Sequence, residues 1–151
     1  MSSKWQAPSA PHHPPRLRTL FQDLKPDVAV NCVGVVKQLA AADDPLVAIP
    51  LNALLPHQLA ALARERGARL IHISTDCVFS GRRGLYTEDD LPDPIDLYGR
   101  TKWLGEVTAE AGGLTLRTSC IGPELGAGKG LLSWLASQQG RGPVRGFSRA
   151  V

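Results

Sequence analysis

Three short, nearly all-apolar runs are separated along the chain by segments whose apolar residues recur at helical spacing. The runs are VAVNCVG from Val28, RLIHIS from Arg69 and LTLRTS from Leu114. Apolar runs of this length are typical of strands buried on both faces, as in a parallel sheet. The pattern therefore predicts three such strands.

Four segments with helical periodicity surround these strands. They are LRTLFQDLK after Arg16, residues 44–67 with interruptions at Pro50 and Pro56, residues 96–111, and GLLSWLASQQG from Gly130. Asp96 is well placed to cap the third of them. The alternation of strands and helices predicts an α/β fold with right-handed crossovers and a parallel sheet.

Composition excludes several classes of protein. The chain has 151 residues, and its 17 basic against 14 acidic side chains give a net charge of only +3. A binder of nucleic acid through dense basic stripes is therefore not expected. No run approaches about 18 apolar residues, so we expect no membrane partner. Residues 1–15 contain four prolines and no apolar periodicity, which predicts a disordered leader.

The three cysteines, Cys32, Cys77 and Cys120, are widely spaced and include no CxxC pair. This excludes a disulfide scaffold and a zinc ribbon, and favours a reducing, cytoplasmic location. We interpret the cysteines as small apolar fillers near buried strands, although a redox or metal role stays open. His72 alternates with two isoleucines in a strand, which favours a structural histidine over a catalytic base.

Small polar residues follow each predicted strand. The three groups are Asn31-Cys32-Val33-Gly34, Ser74-Thr75-Asp76-Cys77 and Arg117-Thr118-Ser119-Cys120. Ligands of open parallel sheets bind beyond the carboxyl ends of the strands, so we expect the site there. The alternative is that strand ends are polar only because loops begin at them.

Tyr98 and Lys102 are four residues apart on a predicted helix, so their side chains share one face. A phenol has a reference pKa of about 10, and a nearby ammonium lowers that pKa and suits the phenol to acid–base catalysis. Thr75 supplies a hydroxyl that can hold a carbonyl oxygen. Together these three groups are what hydride transfer to a carbonyl requires.

The segments STDCVFSG and YTEDDLPDPIDLYGRTKWLGE resemble the extended short-chain dehydrogenase/reductases. The resemblance is to the branch similar to dTDP-4-dehydrorhamnose reductases, and it runs from about Leu17 to the C-terminus. It implies a Rossmann-like fold, NADP or NAD as cofactor, a nucleotide-sugar substrate, and the reduction of its 4-keto group. A homodimer is the oligomer that we consider.

The resemblance also implies roles for individual residues. Thr75, Tyr98 and Lys102 would be catalytic, with Tyr98 as the proton donor and Lys102 also on the nicotinamide ribose. Asn52 would fix the backbone near the site. The implied cofactor-binding residues are Asn31, Cys32, Val33, Ser74, Tyr98, Lys102 and Thr118. The implied substrate-binding residues are Thr75, Asp76, Cys77, Ser119 and Glu124, and Cys77 stands where many relatives carry Tyr.

The glycine-rich turn that cradles the cofactor's pyrophosphate in this family has no match in the chain. The candidates Gly126-x-Gly128-x-Gly130 and Gly140-x-Gly142 have the wrong spacing. We therefore expect an incomplete fold, in which residues 16–151 form a partial NAD(P)-binding domain that runs into the start of the substrate-binding portion. By itself this chain is expected to bind NAD(P)H poorly and to lack reductase activity.

Two alternatives stay open. One is a non-catalytic regulatory or binding subunit of the same fold. The other is a nucleotide-sugar epimerase or dehydratase.

Overall fold

A computed structural model of the protein describes residues 14–119, 121–122 and 130–146, and its centre is a three-stranded parallel sheet. The strands β1 (Val28–Asn31), β2 (Arg69–Thr75) and β3 (Gly113–Thr118) lie side by side in chain order. In the register, Asn31 lies beside His72, and His72 beside Thr115. The predicted α/β fold with a Rossmann-like parallel sheet and flanking helices is confirmed.

The described residues include five α-helices. They are α1 (Pro15–Leu24), α2 (Pro45–Ala48), α3 (Leu55–Glu65), α4 (Leu97–Leu104) and α5 (Leu131–Ser137). Helix α1 begins at Pro15, at the last residue of the predicted leader, and residues 1–13 lie outside the described part of the chain. Tight single turns at Ala40–Asp43, Asp76–Val78 and Ala109–Ala111 complete the elements.

The helix over Pro45–Glu65 is continuous, so the predicted interruptions at its two prolines do not occur. A π-helical segment, Ile49–Leu54, joins α2 to α3, and the amide of Leu55 donates to the carbonyl of Pro50, five residues back. Both prolines stand in the first two positions of their segments, Pro50 in the π segment and Pro56 in α3. Neither proline can donate a backbone hydrogen bond to the preceding turn, and the wider π-helical turn lies in the stretch where these two donors are missing.

One face of the sheet is covered by α3, which contacts both β1 and β2. The resulting core cluster joins residues from α1, α3, β2 and the segment before β3: Phe21, Ala60, Leu62, Ala63, Ala68, Leu70 and Val107. Among the described helices, Pro45–Glu65 is long and apolar enough to cross a membrane by length and composition, contrary to our expectation from the sequence. Its packing onto the sheet identifies it as a core helix.

The opposite face of the sheet is not covered by the described residues. Val28 and Val30 of β1 remain exposed, the latter at 58% of its surface, and so do Leu114 and Leu116 of β3. The prediction of strands buried on both faces is therefore wrong for this part of the chain.

Helix α4 ends at Leu104, so the predicted helix over residues 96–111 is too long by seven residues at its C-terminal end. A Cβ atom on Gly105 would lie 2.0 Å from the backbone oxygen of Asn52, which shows how closely the two backbones approach. Beyond Gly105 the chain turns toward β3. There the Val107 amide donates to the Thr115 hydroxyl at 2.8 Å, and that hydroxyl donates to the Val107 carbonyl at 2.9 Å. The chain therefore leaves the helical path after Gly105, and Val107 is buried in the core.

Candidate functional site

A cleft of about 890 Å³ opens at the carboxyl ends of the three strands. Residues 32–39 after β1 and residues 73–77 at the end of β2 form two of its walls. Tyr98 and Lys102 of α4 form a third, and Thr118 and Ser119 lie at the end of β3. The structure therefore brings the three predicted strand ends to one cavity.

The phenol of Tyr98 is half-buried in this cleft. Burial raises its pKa above the ordinary value, and the nearby Thr75 hydroxyl opposes this by hydrogen bonding. The side chains of Cys77, Asp76 and Asp96 raise the pKa further, because a negative charge on any of them disfavours a phenolate. The expected lowering of this pKa by Lys102 is therefore not observed, and Tyr98 holds its proton at neutral pH.

Lys102 lies beneath the cleft and is only 5% exposed. Its Nζ donates to the carbonyl oxygen of Ile73 at 2.7 Å. Burial lowers the pKa of this ammonium, and the Glu106 carboxylate partly restores it. A Cβ atom on Gly34 would lie 3.9 Å from Nζ, so the loop after β1 passes directly over the lysine.

Thr75 ends β2 and begins the turn Asp76–Val78. Its hydroxyl accepts from the Cys77 amide at 3.2 Å and donates to Oδ1 of Asp76 at 3.1 Å. These two bonds orient the hydroxyl at the cleft wall. The proton on the Thr75 oxygen is directed at Asp76, and it must turn away to reach a ligand.

Asp96 positions the helix that carries Tyr98. Its Oδ1 accepts from the Gly99 amide at 2.8 Å, which confirms the predicted N-cap. Its Oδ2 lies 2.7 Å from Nζ of Lys37, on the loop after β1. Lys37 was not identified from the sequence, because a lone lysine in a loop carries no local signal.

Asn52 holds the loop after β1 against α4. This fully buried side chain accepts from the Val35 amide at 2.8 Å and donates to the Val35 carbonyl at 3.1 Å. It also donates to the Thr101 hydroxyl at 3.3 Å. These contacts match the backbone-fixing role that the resemblance implies.

A polar network joins the end of α4 to β2 and β3. Glu106 forms a two-pronged ion pair with Arg117, with bonds of 2.9 Å from Nε and 2.8 Å from Nη2. Ser74 donates to the same carboxylate at 2.8 Å. The guanidinium lies 5.0 Å from the ring centroid of Phe79. Sequence reasoning missed this network because it placed Glu106 inside a helix.

Asn31, which is predicted to bind cofactor, directs its side chain toward Val33 and His72. Its Oδ1 accepts from the Val33 amide at 3.1 Å, so its amide nitrogen is the group that meets Nδ1 of His72 at 3.0 Å. The proton of neutral His72 is therefore on Nε2, which has no hydrogen-bond partner among the described residues. Burial lowers the pKa of His72 to about 4. The side chains of Asn31 and His72 thus join β1 to β2 by a hydrogen bond.

Most of the other predicted site residues line the cleft, and one lies outside the described residues. Those that line the cleft are Cys32, Val33, Ser74, Thr75, Asp76, Cys77, Thr118 and Ser119. Cys32 is exposed, so its interpretation as a buried filler is wrong, and both Cys32 and Cys77 are free thiols. Cys120 and Glu124 lie outside the described residues.

Together, the cleft presents a protonated phenol, a neighbouring hydroxyl and a buried ammonium. The phenol and the hydroxyl can hold one carbonyl oxygen between them, and the phenol can deliver a proton to it. The ammonium lies deeper in the cleft, beneath the loop that contains Gly34. There it can bind the neighbouring hydroxyl groups of a ribose. The donor set and the size of the cleft fit a nicotinamide nucleoside beside a carbonyl compound.

Comparisons with known proteins place the chain in a family. The family model described as the RmlD substrate binding domain matches residues 9–135. The dTDP-4-dehydrorhamnose reductase of Burkholderia thailandensis is 38% identical over 112 residues, which are 72% of this chain and 38% of that protein. The dTDP-4-dehydrorhamnose reductase of Bacillus anthracis, solved in complex with NADP, superimposes with a TM-score of 0.59 at 28% identity, covering 68% of this chain and 38% of that one.

A relative with a different name also matches. Methionine adenosyltransferase 2 subunit beta of Xenopus laevis is 39% identical over 90 residues, covering 60% of this chain and 27% of that protein. The chain thus spans between 27% and 38% of the length of these three relatives.

Proposed function

We propose that this chain, which belongs to the RmlD substrate binding domain family, carries the reducing site of an NAD(P)H-dependent reductase. The substrate would be a nucleotide-linked sugar with a keto group at C4. The observation that carries the proposal is the convergence of Thr75, Tyr98 and Lys102 on one cleft at the carboxyl ends of parallel strands.

The residues around Lys102 would hold the nicotinamide half of the cofactor. The ammonium lies under the loop at Gly34, with Cys32 and Val33 on the wall beside it. Ser74 and Thr118 face the same space from the ends of β2 and β3. When bound, reduced nicotinamide would supply the hydride, and Lys102 would hold the ribose to which the nicotinamide is attached.

Tyr98 would donate the proton that completes the reduction. Because burial and the neighbouring acidic groups keep its pKa above the ordinary value, the phenol is protonated at neutral pH and ready to donate. Thr75 would turn its hydroxyl from Asp76 toward the keto oxygen and hold that oxygen within reach of the phenol. Asp76, Cys77 and Ser119 also line the cleft and would contact the sugar.

A second candidate function is that of a non-catalytic subunit. It is favoured by the similarity to methionine adenosyltransferase 2 subunit beta. The complete set of phenol, ammonium and hydroxyl in one cleft favours the reductase. An epimerase or dehydratase on the same scaffold would use the same three groups without net consumption of reduced cofactor.

Isotope transfer separates these functions. The protein, completed with the family's glycine-rich unit, is incubated with dTDP-4-dehydrorhamnose and NADPH carrying deuterium in both C4 positions of the nicotinamide, and the sugar product is examined by mass spectrometry. A reductase places one deuterium on the sugar for each NADPH oxidised. Turnover of the sugar without NADPH loss would identify an epimerase or dehydratase. No change in either compound would favour the subunit.

A further inference from the structure

We propose that Lys37 and Gln38, at the mouth of the cleft, form a binding site for the diphosphate group of the nucleotide-linked substrate. This inference deepens the proposed function and rests on it, because a nucleotide-linked sugar carries a diphosphate next to its sugar ring. The site would bind that group through one positive charge and several N–H donors.

Lys37 and Gln38 are the two central residues of a tight turn in the loop after β1. The turn is closed by a hydrogen bond of 3.0 Å, which the Leu39 amide donates to the Val36 carbonyl. Both central residues are exposed, and both line the cleft. Their side chains offer an ammonium and a carboxamide, whose N–H groups can donate to phosphate oxygens.

The accessible positive charge of the cleft is that of Lys37. Among the described residues that line the cleft, only Lys37 and Lys102 are cationic. Lys102 is 5% exposed, and its ammonium donates to the Ile73 carbonyl at 2.7 Å, so a group as large as a diphosphate cannot surround it. The side chain of Lys37 is 53% exposed. An anion that enters the cleft therefore meets its counter-charge at Lys37.

A carboxylate holds the Lys37 ammonium in place and leaves donors free for a ligand. Nζ of Lys37 lies 2.7 Å from Oδ2 of Asp96, while Oδ1 of the same carboxylate accepts from the Gly99 amide. An ammonium has three N–H donors, so those that do not meet Asp96 remain available to a phosphate oxygen. The hydrogen bond to Asp96 also raises the pKa of Lys37, which keeps the ammonium charged at neutral pH.

The order of groups along α4 assigns this diphosphate to the sugar substrate. Asp96 holds Lys37 at the N-terminal end of the helix, and Tyr98 lies in the first turn. Lys102, the proposed ribose contact, follows one turn later. In a 4-keto pyranose, the diphosphate on C1 is across the ring from the keto group. A sugar whose keto oxygen meets Tyr98 can therefore extend its diphosphate away from Lys102 and toward Lys37.

Two carboxylates near this position make a compensating positive charge necessary. Asp76 lines the same cleft, and Asp96 caps the helix whose first turn carries Tyr98. Each would repel a diphosphate, because like charges at short range disfavour one another. The ion pair with Lys37 neutralises Asp96 and leaves the outer part of the cleft able to accept an anion.

Titration with dTDP tests this site and needs neither cofactor nor reduction. K37M is expected to weaken dTDP binding about fivefold, the size of a charge-assisted contact at a partly exposed position. K37R keeps the charge and should bind nearly as the parent does. Q38E has almost the same shape but replaces two donors with a negative charge, so it should also weaken binding. K25M, at an exposed lysine after α1, is the matched control and should bind like the parent.

Salt and the variant series decide whether the contact is electrostatic. Raising the NaCl concentration should reduce the difference between the parent and K37M, because mobile ions screen exposed charges. Four results would overturn the proposal: no binding of dTDP to the parent, equal affinities in the parent and K37M, equal losses in K37M and K37R, or unchanged affinity in Q38E.

A variant at Asp96 separates direct contact with the ligand from support of the loop. D96N retains a side chain that can cap a helix but removes the carboxylate, and Lys37 stays in place. If Lys37 contacts the diphosphate, D96N binds dTDP at least as tightly as the parent. If D96N loses affinity as K37M does, the ion pair only supports the loop and the proposal is wrong.

Competition with NADPH distinguishes the two possible sources of a diphosphate. In a chain completed with the family's glycine-rich unit and saturated with NADPH, dTDP should still bind, and K37M should still weaken its binding. If NADPH displaces dTDP, or if K37M weakens the binding of NADPH, Lys37 serves the cofactor and the proposal is overturned. Because these titrations do not measure hydride transfer, a negative isotope assay would count against the proposed reduction and not against this site.

Discussion

The ammonium of Lys102 lies 2.7 Å from the carbonyl oxygen of Ile73, two residues before the end of β2 at Thr75. One hydrogen bond therefore joins the helix that carries Tyr98 to the strand that ends in the hydroxyl. This bond holds the lysine against the strand before any ligand binds.

In a chain completed with the family's glycine-rich unit, replacing Lys102 with Met should weaken both NADPH binding and turnover, because the ammonium would hold the ribose as well as serve the reaction. A charged hydrogen bond contributes about 1.5–3 kcal/mol, which corresponds to a loss in affinity of about tenfold or more. Fluorescence titration with NADPH measures the change. Lys25→Met, on an exposed position after α1, is the control and should bind like the parent. Unchanged NADPH affinity in Lys102→Met would show that the ribose role is wrong.

In the same completed chain, replacing Tyr98 with Phe should abolish most turnover and leave cofactor affinity nearly unchanged. The phenylalanine ring fills the same space, but the proton that the transition state requires is gone. The turnover rate should therefore fall by about 10²–10⁴-fold. Steady-state rates and NADPH titration on the same preparation test this. Tyr86→Phe removes the other phenol and should keep full activity. A parallel loss of affinity and rate in Tyr98→Phe would mean that Tyr98 is structural.

The sequence predicted the parts of the site that depend on local spacing. Tyr98 and Lys102 are one helical turn apart, and Thr75 follows an apolar run, so both features appear in short windows of sequence. The ion pair between Lys37 and Asp96, and the one between Glu106 and Arg117, join separate segments and become visible only after the chain folds. The early end of α4 is likewise not visible in a short window of sequence, because it depends on the contact between Gly105 and Asn52.

Gly105→Ala should destabilise the fold by about 3 kcal/mol, the upper part of the range for overpacking a closed site. The new methyl would lie 2.0 Å from the Asn52 oxygen, and this backbone atom cannot rotate away. Gly122→Ala is the matched control, because a Cβ there meets nothing within 4 Å, and it should change stability by less than about 0.5 kcal/mol. Urea unfolding followed by circular dichroism compares the two, and similar midpoints would contradict the close approach.

Glu106→Gln should reduce stability by about 1–2 kcal/mol, since it leaves the Arg117 guanidinium without its charged partner in a mostly buried setting. The control is Glu65→Gln, which breaks the ion pair with Arg18 at the surface and should cost at most about 0.5 kcal/mol. Urea unfolding at neutral pH measures the loss of stability in both variants. If the two variants lose the same stability, the Glu106 network contributes no more than a surface pair.

Stability should fall as the pH decreases from about 6.5 to about 4 because of His72. Its folded-state pKa lies below its unfolded-state value, so the unfolded chain binds the proton first. The contribution of neutral His72 to the free energy of unfolding is complete above the unfolded-state pKa. It decreases through this window by up to about 1.4 kcal/mol per pH unit.

The difference in unfolding free energy between the parent and His72→Gln, measured across this pH range, isolates the histidine from the carboxylates. A parent–His72→Gln difference that does not vary with pH would refute the assignment.

The π-helical segment Ile49–Leu54 sets the rotational phase between the two ends of its helix. Removing one residue from this segment would restore an ordinary α-helical ladder and turn one end by about 100° relative to the other. Then either Asn52 would leave the loop at Val35, or Ala60 and Ala63 would leave the sheet. The extra residue that the wide turn accommodates is thus what allows one helix to serve both the cleft and the core, and length changes here are restricted to those that preserve the phase.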